Sequence, residues 1–139
     1  NRRYVVAAGA PCLTIAGFVG LSGPYDFLPI KSGYLTDVFP PDVRAESQPV
    51  AFATKTAPTT LLIHGLDDSV VEPRNSRSLA AALEANGVEV TLKLYRGQGH
   101  QRIAAGLAPP LAFVSDSLKD SVEFLRAAAS REETSDCEH

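Results

Sequence analysis

Two short stretches of this chain carry residues that could do chemistry together: "HGLDDSVVEP" at 64–73 and "GQGHQRI" at 97–103. The first offers the carboxylates of Asp67 and Asp68, the second the imidazole of His100. A carboxylate bonded to one ring nitrogen orients a histidine as a general base and stabilises its protonated form during acyl transfer. Gly97 and Gly99 permit a tight, exposed loop around His100. Spacing alone leaves Asp67 and Asp68 both open, and Asp68 could simply be a loop carboxylate that caps the helix that follows.

A nucleophile for such a pair is not visible. The strained serine of a nucleophile elbow needs G-x-S-x-G at a strand-to-helix turn. Gly20-Leu21-Ser22-Gly23-Pro24 has proline where the second glycine belongs and leads into a proline-bearing loop, so Ser22 is not expected to attack. His64 reads as a packed or hydrogen-bonded residue at a strand end. Asp26 reads as a tie for its own loop through local backbone bonds. A metal site drawn from His64, Asp67, Asp68, Glu72 and His100 lacks any His-x-x-x-His type of spacing, so neither metal nor cofactor is expected. Cys12 and Cys137 read as a packed thiol and a tail thiol.

These stretches need elements to hold them. The run "IAGFVGL" (15–21) and the run through 61–63, led in by Thr59 and Thr60, are continuously apolar, as in strands buried on both faces of a parallel sheet. "VEVTLKLY" (88–95) alternates, as a strand near a sheet edge does. Pro73 opens and Gly87 closes a helix in which Leu79, Ala82 and Leu83 share a face. Leu118, Val122, Leu125 and Ala129 recur at spacings that predict a second helix laying that stripe on the sheet. "RRYVVAAGA" resembles a helix end closing on Gly9. The order is helix, strand, a Pro-rich stretch over 24–58 with short helical pieces, then strand, helix, strand, helix. That alternation gives parallel strands with crossover helices, and an α/β fold. Chemistry then collects at the carboxyl ends of the strands, where all three loops of interest lie.

The 139 residues are 45% apolar and carry a formal charge of −3, which suits one globular domain with a sizeable core. No basic face is available for nucleic acid. No apolar run approaches the roughly 20 residues that cross a bilayer, and "NRRYVVAAGAPC" lacks a signal-peptide centre. A soluble protein is expected, with the cytoplasm the default compartment. The chain has no methionine and opens at Asn1 inside what reads as a helical turn, so it is expected to be the later part of a longer protein.

The ordered series "IAGFVGLSGPYDF", "TTLLIHGLDDSVVEPRNSRSLAAALEANGVEVTLKLYRGQGH" and the following helix resembles the carboxyl-terminal half of an α/β-hydrolase, over about residues 1–128. The branch it looks most like is the carboxylesterases and lipases related to hormone-sensitive lipase, with prolyl oligopeptidase-type peptidases as cousins. The resemblance implies a partial α/β-hydrolase fold holding the last three strands of the sheet, spanning 1–129, with 130–139 as a frayed tail. It implies that the serine elbow and the His-Gly-Gly oxyanion loop lie upstream. The family's order of His-Gly, two residues, then the catalytic acid assigns Asp68 and leaves Asp67 as a solvated or loop-bonding neighbour. His100 matches the catalytic histidine. Peptidase relatives often follow that histidine with glycine, whereas Gln101 stands here, which favours an esterase.

The implied function is half of a serine hydrolase for small-molecule carboxylic esters, partnered by its own amino-terminal half and inactive when isolated. Half of a prolyl oligopeptidase-like peptidase, and a truncated or vestigial non-catalytic module, are the alternatives.

Overall fold

Seven residues with little polar character beyond their ends, Thr59–Gly65, form the strand around which the rest is arranged. In the computed structural model, which describes residues 7–9, 15–30 and 33–132, this strand (β2) is buried from Thr60 onward. It lies between two parallel neighbours, β1 (Gly17–Leu21) and β3 (Val90–Tyr95), in the order β1-β2-β3. The register pairs Leu21 with Ile63 at one seam and Gly65 with Tyr95 at the other. Hydrogen bonds from Ser22 N to Ile63 O (2.9 Å) and from Leu66 N to Tyr95 O (2.8 Å) carry the pairing into the loops. Helix α1 (Gly33–Val38) and a 3-10 turn at Pro49–Phe52 lie between β1 and β2, and α2 (Arg74–Ala85) between β2 and β3. Helix α3 (His100–Ala105), a second 3-10 segment at Pro109–Val114 and α4 (Ser117–Glu132) follow β3.

Alternation along β2 sends its side chains to two cores. Leu62 packs with Tyr25, Leu79, Ala80, Leu83 and Val88 on the α2 side. Leu61 and Ile63 pack with Ile103 on the other, backed by Val19, Leu21, Tyr95 and Phe124. Complete burial of Leu61, Leu62 and Ile63 contributes roughly 1.5–3 kcal/mol each. Burial of Tyr25, only partly offset by its contact with the Gly23 backbone, pushes its phenol up to about 12, so it stays neutral in this core.

Helix α2 begins directly after Pro73, whose φ of −57° already suits a helix, and ends at Gly87 with φ +77°. The Gly87 and Val88 amides bond back to Glu84 O and Leu83 O at 2.9 and 3.1 Å. Ala80, rather than Ala82, shares the buried face with Leu79 and Leu83. Ala7 is helical and Gly9 has φ +76°, while residues 1–6 and 10 of that segment lie outside the described residues, as do Cys12 and Cys137.

Three further expectations change. The first apolar run forms a strand only from Gly17, and it is not buried on both faces: Phe18 is 41% exposed and Ile15 55%. The reason is positional, since among the described residues β1 has a neighbour on one side only. Second, the stripe expected to lie on the sheet from α4 is rotated away from it. Val122 and Leu125 are exposed by 36% and 44%, while Ser117, Ser121 and Ala128 are buried. The helix seats closely because small side chains face β1, where a Cβ on Gly17 would come within 3.0 Å of both Ala128 and Phe124. Its buried hydroxyls find local acceptors, Ser117 on Ile103 O (2.8 Å) and Ser121 on Ser117 O (2.6 Å). Asp120 completes the docking by accepting from Lys93 Nζ (2.9 Å) and the Tyr95 hydroxyl on β3. Third, α4 continues through Ser130–Glu132, where a frayed tail was expected; the remainder of that tail, 133–139, lies outside the described residues.

Among the described residues the outer edge of β1, beside Phe18, is unpaired, and an unpaired parallel edge with an outward apolar stripe on α4 favours association. The 139-residue chain is expected to sediment as oligomers at micromolar concentration. Combining Val122→Glu with Leu125→Lys should lower its mean mass in sedimentation velocity.

Candidate active site

The end of β2 and the end of β3 meet because the strands are parallel neighbours and their following loops leave from one edge of the sheet. Gly65 lets those loops touch: a Cβ there would lie 2.1 Å from the Gln98 carbonyl oxygen. That same carbonyl accepts from Asp67 N at 3.1 Å. The loop after β3 is shorter than expected, and His100 is the first residue of α3 rather than a loop residue. The Gly99 carbonyl starts that helix by accepting from Arg102 N and Ile103 N, and fully buried Ile103 anchors it.

Asp68 Oδ2 lies 2.8 Å from His100 Nδ1, across 32 residues of sequence. Asp68 Oδ1 accepts from the amides of Val70 (2.9 Å) and Val71 (2.8 Å). The Asp68 side chain is sealed from solvent and that of His100 is 35% exposed. Burial alone would push the Asp68 carboxyl up. The Val71 amide, the His100 ring and the Val70 amide together outweigh it and hold the group below the ordinary carboxylate range. An ionised, fixed acid therefore faces one nitrogen of a partly open imidazole. Among the described residues, His100 Nε2 has no hydrogen-bond partner.

The other residues singled out from sequence occupy other places. Asp67 is exposed, and its tie to the neighbouring loop is through its backbone amide. Glu72 pairs with Arg74 at the surface, 3.0 Å away. His64 is fully buried, with Nδ1 2.7 Å from Ser76 Oγ and Nε2 2.8 Å from Val71 O. Ser22 is 2% exposed at φ +47°, and its Oγ finds no hydrogen-bond partner among the described residues.

Among the described residues, the Asp26 side chain makes no hydrogen bond to tie down its own loop. That task falls to Asn75 and Gln48, neither of which was anticipated. Asn75 Oδ1 accepts from the amides of Tyr25 (3.0 Å) and Asp26 (2.7 Å), and Gln48 Oε1 from those of Phe27 (2.8 Å) and Leu28 (3.3 Å). The sequence signal for Asn75 is a polar residue, beside Ser76, on the first turn of a helix whose buried face is otherwise leucine and alanine. The loop so clamped forms one wall of a cleft of about 430 Å³, where Phe27, Ile30, Leu35 and Phe39 face Val70 and Val71. The acid-bearing loop is the opposite wall.

Against known proteins, a profile of the prolyl oligopeptidase family matches residues 6–131. The chain belongs to that family. Among curated relatives, this prolyl oligopeptidase-family chain is 29% identical to an isoprenylcysteine alpha-carbonyl methylesterase of Arabidopsis thaliana, over 78% of its own residues and 29% of that protein's length. Its backbone matches the acetyl ester-xyloside bifunctional hydrolase of Caldicellulosiruptor lactoaceticus with a TM-score of 0.68 at 21% identity, over 82% of this chain and 43% of that one. It matches the carboxylesterase Cest-2923 of Lactobacillus plantarum WCFS1 with a TM-score of 0.67 at 14% identity, over 94% and 50%. At such identities the structural matches speak for the fold, which is a partial α/β-hydrolase fold. The chain spans less than a third of the length of the curated relatives it matches, and half or less of these two structures. No helix among the described residues is long and apolar enough to cross a membrane.

Proposed function

We propose that this chain supplies the acid, Asp68, and the base, His100, of a Ser-His-Asp triad in a serine hydrolase for carboxylic esters. The serine and the oxyanion hole belong to sequence preceding Asn1. The observation that carries this reading is the 2.8 Å bond from His100 Nδ1 to a buried, ionised Asp68. That bond holds the imidazole as its Nδ1–H tautomer, with the Nε2 lone pair free for a proton.

The serine hydroxyl attacks the ester carbonyl as Nε2 takes its proton, and the Asp68 carboxylate stabilises the resulting imidazolium. Collapse of the tetrahedral intermediate breaks the bond to the alcohol, whose oxygen receives the proton from Nε2. Water then attacks the acyl-enzyme with the same nitrogen as base, releasing the acid and restoring the serine. The cleft beside Val70 and Val71 suits an apolar portion of the substrate. Gln101 after the histidine and the methylesterases among the relatives support ester over amide. The family profile favours a peptidase as the second reading.

The isolated chain is expected not to hydrolyse p-nitrophenyl acetate or butyrate above the buffer rate. Turnover that vanished in both Asp68→Asn and His100→Ala would place the nucleophile inside these 139 residues and overturn this part of the reading.

A further inference from the structure

His64 is the one ionisable side chain in β2, and its burial is complete. A packing role would be met by any side chain of similar volume, yet both of its ring nitrogens are engaged. Nε2 faces the Val71 carbonyl at 2.8 Å and the Asp68 Oδ2 at 3.3 Å. A carbonyl and an ionised carboxylate only accept, so Nε2 carries a proton. Nδ1 lies 2.7 Å from the hydroxyl of Ser76, a residue with no solvent exposure on the first turn of α2. In the neutral ring that hydroxyl donates to Nδ1.

We infer that His64 is a positioning residue, locked by Ser76 as its Nε2–H tautomer, which aims Asp68 Oδ2 at His100. The connections run in one direction. Ser76 O–H donates to His64 Nδ1, and His64 Nε2–H donates to Val71 O while standing 3.3 Å from Asp68 Oδ2. The Val71 amide in turn donates to Asp68 Oδ1, leaving Oδ2 to accept from His100. The backbone amides of Val70 and Val71 hold one carboxylate oxygen; His64 grips Val71, which supplies one of those amides, and its Nε2 stands 3.3 Å from the other oxygen. The imidazole therefore works beneath the acid, where it meets neither substrate nor reacting atoms. This inference rests on Asp68 and His100 acting as acid and base, because only then does the aim of Oδ2 matter to catalysis.

The chain holds three histidines, so labelling their rings with ¹⁵N gives a spectrum simple enough to assign by single substitutions. Magic-angle-spinning NMR reads it in a self-associated sample. In the unaltered 139-residue chain, His64 is expected as the neutral Nε2–H tautomer and His100 as an Nδ1–H with the deshielded proton of a carboxylate hydrogen bond. Ser76→Ala should remove the single His64 tautomer and weaken or abolish the deshielded His100 signal. Ser76→Thr, which keeps the hydroxyl, should restore both. An Nδ1–H tautomer at His64 in the unaltered chain would overturn the inference without recourse to any variant. So would a His100 signal indifferent to Ser76→Ala. If the deshielded His100 proton were missing from the unaltered chain, or unchanged in Asp68→Asn, the acid-base pair itself would fail, a separate outcome.

Discussion

Asp68→Asn, made in the longer protein that this chain is proposed to complete, lowers kcat by about 10⁴ with little change in the fold. The carboxamide oxygen can still accept from the Val70 and Val71 amides, whose 2.9 and 2.8 Å bonds hold Oδ1. What changes is the group facing His100. An amide N–H there cannot accept from Nδ1–H, so the ring turns to the tautomer that carries its proton on Nε2 and can no longer take one from serine. Four decades in rate correspond to roughly 5.4 kcal/mol of transition-state stabilisation. Steady-state kinetics on a short p-nitrophenyl ester measures it.

The same substitution changes acid stability in a defined direction. The folded Asp68 carboxyl lies below its ordinary value, so its contribution is complete above the unfolded value of about 3.9 and is lost as pH falls through the folded value. Urea unfolding between pH 6 and pH 2 should show a shallower acid-side loss in Asp68→Asn than in the unaltered chain.

His100→Ala has the larger effect, on the order of 10⁶ in kcat, because it removes the group that both takes and returns the proton. KM should change little, since the ring meets the serine and the departing oxygen rather than the bulk of the substrate. The double variant with Asp68→Asn should be no slower than His100→Ala alone, because the acid acts only through the imidazole. Additive losses would show that Asp68 contributes by another route.

Much of the scaffold could be read from residue patterns because burial imposed them. "TTLLIHG" is apolar without alternation because β2 has a strand on each side and a core on each face. Asp68 and His100 could be placed at adjoining strand ends because parallel order puts those ends on one edge. The same logic misplaced α4. Leu118, Val122 and Leu125 form the more apolar stripe, yet close approach to Gly17 selects the face carrying Ser117, Ser121 and Ala128, whose hydroxyls bond to nearby carbonyls. Hydropathy cannot register a polar group satisfied so locally. Asn75, Gln48 and Ser76 escaped notice for a related reason: each acts on a segment far away in sequence, and no spacing rule links residue 75 to residues 25 and 26, or 76 to 64.

In the proposed function, Asp68 and His100 serve a serine lying before Asn1. A fluorophosphonate reacts covalently with a serine activated by such a pair, and mass spectrometry of the digested longer protein locates the adduct. The account predicts an adduct on a serine amino-terminal to residue 1, abolished by His100→Ala, and none on the isolated 139-residue chain. An adduct within residues 1–139, or labelling undiminished by His100→Ala, would contradict it.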